Sequence, residues 1–369
     1  NPDPRILLIE LTEADVRENA KHGFSVSDGV LATLLEKLNR HQPRVIGLHI
    51  FRDIPLQPGH EALVKHLKTD ENLVTICYFG EEGKHEIPPP ASPPGQVGFN
   101  NFINDPPNDW IRRYLFYRSP NGDEGLTHCV SQHSFAFQLV FRYLEADGVS
   151  FHQDEQKNWL VGDRRLQKLQ LRSAAYQSID NRGNQIMINY RRSQTVARSI
   201  TLADTLADNY DPDWITDKVV MIGVTAPTMK DNDWKTPVGS LSGLHLHAHA
   251  VSQIISAVKD DRPLIWWFSQ WVDALLVLGA ALIGVGMGGW WRSSPLLLGL
   301  GIATSSVILY LLCHALFGQL GLWLPLIPML LTIPGSALGF RLYPAWKRHL
   351  AQQSSTSLPK ESTLNVSTH

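Results

Sequence analysis

Three histidines stand at every second position in His245-Leu246-His247-Ala248-His249. On a strand, that spacing would turn all three imidazoles to one side, where they could chelate a metal such as zinc. On a helix, residues two apart face different ways, and only His245 and His249 share a face. The run opens a helical pattern that continues to Val258, which favours polar side chains packing at a helix start. No Glu follows in the H-E-x-x-H arrangement, so the zinc-protease signature is absent. A membrane-tethered, metal-dependent hydrolase using His245, His247 and His249 with Asp231 or Asp233 stands as an alternative function.

The second candidate is the loop Gly223 to Pro237 (GVTAPTMKDNDWKTP), which follows the most hydrophobic strand of the chain. Loops after parallel strands lie at the carboxyl edge of a sheet, where open α/β sheets bind their ligands. Asp231, Asp233, Lys235 and Thr236 could contact a ligand or ion there; the plainer reading is a hydrated surface loop. No G-x-S-x-G element and no Walker A sequence occurs. Gly284, Gly286 and Gly289 match the letters of a dinucleotide fingerprint, but inside an apolar run where glycine serves helix packing. No catalytic set and no cofactor is read from the chain.

These residues need a scaffold, and the pattern supplies one. Ile6–Leu11, Arg44–Phe51, Leu73–Phe79 and Lys218–Thr225 are short apolar, β-branched runs of the kind that form buried strands. Between the first three lie helical patterns, one beginning after Ser27 as N-cap and one over Glu61–Leu67. That β-α-β-α-β order implies a parallel sheet with right-handed crossovers. Gly98–Ile103 and Tyr114–Ser119 read as strands, and a turn at Gly122-Asp123 suggests an antiparallel insertion. Ser134–Glu145 is a helix, Gln185–Tyr190 a strand, Thr201–Asn209 a short helix capped by Thr201, and His245–Val258 the last helix. The expected fold is a three-layer α/β domain with a mainly parallel sheet and an antiparallel insertion.

Charge divides the chain in two. It has 369 residues, with 33 Lys plus Arg and 35 Asp plus Glu. After Arg262 only Asp273, Arg292, Arg341, Lys347, Arg348, Lys360 and Glu361 are charged. The first 262 residues therefore carry 28 basic and 33 acidic side chains. A mildly acidic head of this kind excludes a nucleic-acid binder, which needs a basic patch. In the remainder, apolar runs at 272–289, 295–316 and 320–340 are each near the ~20 residues that cross a bilayer core. Seven tryptophans, at positions 266, 267, 271, 290, 291, 323 and 346, sit at the ends of the runs, as in an interfacial belt.

Arg292 and the Arg341-Lys347-Arg348 group flank the same side of a three-crossing bundle, so the positive-inside rule puts the C-terminus in the cytoplasm. Residues 1–262 then form an extracytoplasmic domain, 263–343 the membrane helices and 344–369 a short cytoplasmic tail. The chain starts at Asn1-Pro2-Asp3-Pro4 without an apolar segment, so an upstream signal or membrane helix is expected to precede it. Of three cysteines, Cys313 lies in an apolar run. Cys77 and Cys129 are either a disulfide in an oxidising compartment or two buried thiols, the blander choice.

The order of segments resembles the second family of CHASE domains, the cyclase- and histidine-kinase-associated sensory extracellular modules. Ile6–Leu11 with Thr12–Val16 resembles the family's first strand and acidic turn. Gly98-Phe99-Asn100-Asn101, Asp105 and Arg112-Arg113 resemble its middle, and Ile188-Asn189-Tyr190-Arg191 its tyrosine-arginine strand. Asp217–Thr225, Asp231, Thr236-Pro237, Gly243 and His247-Ala248 resemble its final strand, loop and helix start, and three membrane helices follow as in the family. The family usually has an acidic residue near the end of the second strand; here His49 stands there and Asp53 follows. Members commonly continue into an output domain, whereas here Ala351–His369 is a Ser/Thr-rich tail.

The resemblance implies a membrane-anchored sensor of the inner (plasma) membrane. It would receive a small-molecule or protein stimulus and pass it to a membrane or cytoplasmic partner, as a possible homodimer. His247 joins Asp231, Asp233, Lys235 and Thr236 as a candidate ligand residue on this basis. A structural subunit of a membrane complex is the third reading.

Overall fold

The computed structural model describes residues 1–18, 26–80, 84–106, 108–118, 128–180, 183–192, 195–229 and 233–356. They form two compact units, 1–171 with 178–266, and 172–177 with 267 onward. Asp231 and the expected Gly122-Asp123 turn lie outside the described residues.

In the first unit the chain runs β1 (Asp3–Leu11), α1 (Glu13–Glu18), α2 (Asp28–Asn39), β2 (Val45–His49), α3 (His60–Thr69), β3 (Leu73–Cys77) and β4 (Val97–Phe99). Then come β5 (Ile103–Asp105), β6 (Trp110–Tyr117), α4 (Phe135–Glu145), β7 (Phe151–Gln153), β8 (Trp159–Val161) and β9 (Arg164–Leu166). The unit ends with β10 (Asn184–Met187), β11 (Ala197–Thr201), α5 (Leu202–Leu206), β12 (Val219–Val224), β13 (Trp234–Thr236), β14 (Gly239–Leu241) and α6 (Gly243–Lys259). Six strands pair in the order β11-β1-β12-β2-β3-β4, all in parallel. Strands β10, β6 and β5 form the antiparallel insertion.

The three layers follow from two-residue periodicity. Ile6 and Leu8 of β1, Val45 of β2 and Val219 and Met221 of β12 face α4, α6 and the antiparallel sheet. Their neighbours Leu7, Ile9, Leu11, Ile46, Leu48, Val220 and Ile222 face α2, α3 and α5. Both faces are apolar because both are covered, which is why the runs read as continuous rather than alternating. Two glycines set the position of α4. A Cβ on Gly47 would lie 2.6 Å from the Phe135 ring, and one on Gly98 would lie 2.5 Å from the Phe135 Cα. Phe135, the first residue of α4, therefore fills a notch between β2 and β4.

Several expectations change in detail. Cys77, the last residue of β3, is disulfide-bonded to Cys129, with Cα atoms 5.5 Å apart across a separation of 52 residues. That corrects the reading of two buried thiols; the fold closes a distance that linear spacing cannot show. Cys313 is free. Ser27 occupies the N-cap position of α2 but its side chain makes no capping bond. Instead the Asp28 carboxylate accepts from Leu56 N and pairs with His60 Nδ1, tying α2 to the loop after β2. Thr201 caps α5 through Asp204 N as expected.

The second unit holds α7 (Gln270–Trp290), α8 (Pro295–Leu320) and α9 (Leu326–Thr356), each with a span long and apolar enough to cross a membrane. The third begins six residues later than read, because Gly321 closes α8 in the left-handed region (φ 69°) and Pro325 precedes α9. It also continues beyond Phe340, so the start of the expected tail is helical. Gly284 and Gly288 of α7 meet α9 closely: a Cβ would fall 2.3 Å from the Ile333 carbonyl oxygen and 2.4 Å from that of Ala337. A small-xxx-small face is the usual means of bringing two membrane helices together. By contrast α8 buries only Leu298 and Cys313.

Candidate functional site

At the carboxyl edge of the parallel sheet, Glu10 of β1, Gly223 of β12 and His49 of β2 lie side by side in register. All three point toward α6. Because Gly223 has no side chain, Leu244 of α6 settles between its neighbours, where a Cβ on Gly223 would meet it at 3.0 Å. The loops after β1 and β2 turn to the α2–α3 face, while the chain after β12 passes to the α6 face. This is the topological switch point at which open α/β sheets form ligand crevices.

The first turns of α6 distribute the three histidines over three environments. Ser242 caps the helix through His245 N. His245 Nδ1 bonds the Ser242 hydroxyl at 2.8 Å, and its Nε2 lies 3.4 Å from Glu10 Oε1. Burial would raise the Glu10 carboxyl, but bonds from His245, Ser199 and Thr225 outweigh it and hold it below the ordinary carboxylate value.

His247 is fully buried. Its Nε2 lies 2.5 Å from Asn100 Oδ1, and His49 Nε2 lies 2.7 Å from the same oxygen. An amide oxygen only accepts, so both imidazoles donate to it. His247 Nδ1 is then the acceptor for the Tyr114 hydroxyl at 2.7 Å, and that hydroxyl accepts from Ala136 N at 3.3 Å. The chain of bonds fixes a neutral His247. Burial, reinforced by His49, pushes its pKa well below the ordinary histidine value. Phe102 and Phe135 flank the ring at centroid distances of 4.6 and 5.2 Å.

His249 points elsewhere. Its Nδ1 accepts from Arg191 N at 3.3 Å, and its ring packs on Tyr190. Burial first, then His245, Arg262 and Arg191, lower its pKa to about 3. The helix turns His247 away from the other two rings, as the spacing requires, and among the described residues no group of three or more His, Cys, Asp or Glu is placed to hold a metal ion.

The loop candidates do not gather around His247 as a set. Asp233 and Lys235 are exposed. Thr236 is buried and closes the β13–β14 hairpin, its hydroxyl donating to the Gly239 carbonyl oxygen at 2.6 Å. Trp234, between them, packs on Phe102 at 5.0 Å and so touches the wall of the histidine network. Sequence reasoning passed over Glu10, Asn100 and Tyr114 as site residues. The available signal was position: Glu10, His49 and Asn100 each stand at or next to the carboxyl end of a parallel strand.

A second polar cluster lies at the opposite end of β1. Asp3 is fully buried. Its two oxygens accept from Arg5 N, Nε and Nη2, from Arg191 Nη2 and from the Ser252 hydroxyl of α6. Burial would raise this carboxyl, but Arg5 and Ser252 hold it below the ordinary range. Asp260, just past α6, closes the cluster on Arg5 at 2.6 Å. So α6 is held at its start by the histidine network and at its middle by Asp3.

Comparison with curated proteins and with solved structures gives no match. The profile described as CHASE2 domain matches residues 1–286, which spans the α/β unit and most of α7. With the match covering most of the chain, this protein belongs to the CHASE2 domain family.

Proposed function

We propose that the chain is a membrane-anchored signal receiver in which α6 carries the response from the sensory domain to the apolar helices. CHASE2 is a sensory extracellular domain, and the three apolar helices could anchor it in a membrane. The observation that carries the proposal is the position of α6. Its side chains hold both polar clusters of the sheet, and residues 260–269 connect it in sequence to α7. A stimulus that alters either cluster changes how α6 is seated.

The Cys77–Cys129 disulfide supports an oxidising, extracytoplasmic setting for residues 1–262. The basic residues Arg341, Lys347 and Arg348 support a cytoplasmic end for α9 in the inner membrane. A membrane or cytoplasmic partner, or a second copy of the chain, reads the change. Exposed Asp233 and Lys235, on the loop at the carboxyl edge, are the proposed places of stimulus contact, with Trp234 and Phe102 linking that loop to the buried His247.

A ligand shifts a conformational equilibrium only through different affinities for two states. The test is hydrogen exchange on the full chain in lipid nanodiscs, with and without compounds that bind it. Coupled changes in residues 243–259 and 270–290 support the reading. A compound that binds at the domain and leaves both segments unchanged refutes it.

A further inference from the structure

Three side chains near the middle and end of α6 hold donors that meet no acceptor. His249 and Gln253 are each 1% exposed, and four residues apart they share one helix face. His249 Nε2, Gln253 Nε2 and Arg262 Nη1 are buried and have no hydrogen-bond partner among the described residues. Their other atoms fix which way these groups point. His249 Nδ1 accepts from Arg191 N, so the ring hydrogen sits on Nε2. Gln253 Oε1 accepts from Asn189 N at 2.7 Å, so its NH2 group faces away from that bond. Arg262 Nη2 donates to the Asn189 carbonyl oxygen at 2.7 Å, leaving Nη1 free. All three therefore gather around the segment 189–191, and together they offer one, two and two N–H groups.

The charge around them does not balance. Arg5, Arg191 and Arg262 stand against Asp3 and Asp260. Asp3 already accepts five hydrogen bonds, which exceeds the roughly four lone-pair positions of a carboxylate. Asp260 is taken by Arg5. Arg262 is left without a carboxylate partner among the described residues. Burial, then Arg191, lowers its pKa to about 10, with Asp3 opposing. Unmet buried donors are rare and costly, and those around one surplus positive charge call for an anionic acceptor.

We propose that His249, Gln253 and Arg262 form a binding site for a small monocarboxylate, held by the Arg262 guanidinium and the two neighbouring N–H donors. One surplus positive charge matches a monoanion. A planar pair of oxygens matches the guanidinium fork and leaves lone pairs for the amide and the imidazole. The site lies on α6 away from the histidine network, and it takes from the proposed function only that α6 is the element acted on.

Sodium acetate is the probe, titrated into the full chain in detergent at pH 7.5 against sodium chloride at constant ionic strength. Binding is read by saturation-transfer NMR of the acetate methyl and by the unfolding midpoint. Saturable binding is expected, with affinity reduced at least tenfold in Arg262→Gln and unchanged in Arg17→Gln, an exposed arginine. Gln253→Glu is the second variant. It places a carboxylate among the donors, so it is expected to raise the unfolding midpoint and to abolish acetate binding. The absence of saturable acetate binding, meaning that water alone serves these donors, overturns the proposal. So does acetate binding that Arg262→Gln, or Gln253→Glu if the first variant does not fold, leaves within twofold. Binding here without any exchange change in residues 270–290 would leave the site intact and refute only the signalling role of α6.

Discussion

Acid should loosen α6 through its histidines before the carboxylates titrate, and the size of the effect can be worked from the structure. His247 and His249 are buried and neutral, and both are harder to protonate folded than unfolded. Above the unfolded value of about 6.5 neither state binds the proton, and the full stability is present. As pH falls below that value the unfolded chain gains a proton that the folded chain refuses. Stability then falls by ~1.36 kcal/mol per pH unit and imidazole, until the folded value is reached. For His249 that floor is about pH 3. Between pH 6.5 and pH 5 His249 thus withdraws roughly 2 kcal/mol, and His247 acts in the same direction.

His247→Gln separates the two contributions. A Gln amide can donate to Asn100 and accept from Tyr114, so the network keeps its partners at a cost of about 1–3 kcal/mol at pH 7.5. Its loss between pH 7.5 and pH 5 should be smaller than in the parent chain, because the group that resists protonation is gone. The groups facing His247 are His49 from β2, Asn100 after β4 and Tyr114 from β6. The Glu10–His245 pair is untouched by the substitution. Pulse proteolysis over a urea series in detergent, at pH 7.5, 6 and 5, gives the slopes. Equal slopes in parent and variant would refute the argument that His247 is held neutral by its surroundings.

Other substitutions test the scaffold. Cys77→Ser opens a loop of 52 residues, and unfolding free energy should fall by about 4 kcal/mol on the chain-entropy estimate; the same value should follow from reduction of the parent. Gly98→Ala sets a Cβ against the backbone of Phe135, which cannot yield as a side-chain tip would. A loss of about 3 kcal/mol is expected in the same proteolysis assay. Gly288→Leu should force α7 from α9, measured as lost cysteine cross-linking between positions introduced on the two helices; unchanged cross-linking would show that the glycine face is not their contact.

The parallel sheet was legible because its strands are buried on both sides. Ile6–Leu11, Val45–His49, Leu73–Cys77 and Val219–Val224 need no alternation, so their apolar runs stand out. β11 was not legible. Ala-Arg-Ser-Ile-Thr lies at the sheet edge with Arg198 and Ser199 exposed, and only pairing with β1 makes it a strand. The three-residue strands β7, β8 and β9 are too short for any period to register.

The functional cluster shows the same limit. His245, His247 and His249 were conspicuous, and helical spacing turns His247 away from the other two. That His247 would meet His49 and Asn100 could not be read, because those residues are separated by 51 and 147 positions from their partners. Pairing of β2, β3 and β4, with Leu244 of α6 seated over Gly223, brings them together. The family resemblance, resting on the order of weak motifs, anticipated the CHASE2 match.

The sparse packing of α8 has an evolutionary consequence. Apart from the buried Leu298 and Cys313 and from Gly301, where an added Cβ would run into the Trp291 ring, this helix is held to a length and a hydropathy rather than to particular letters. Its outward residues can exchange among Leu, Ile, Val and Phe with little effect on the bundle, whereas α7 and α9 must keep small residues where they meet. Among descendants of this gene α8 should change fastest, and a saturation library should find it the most forgiving of the three apolar helices.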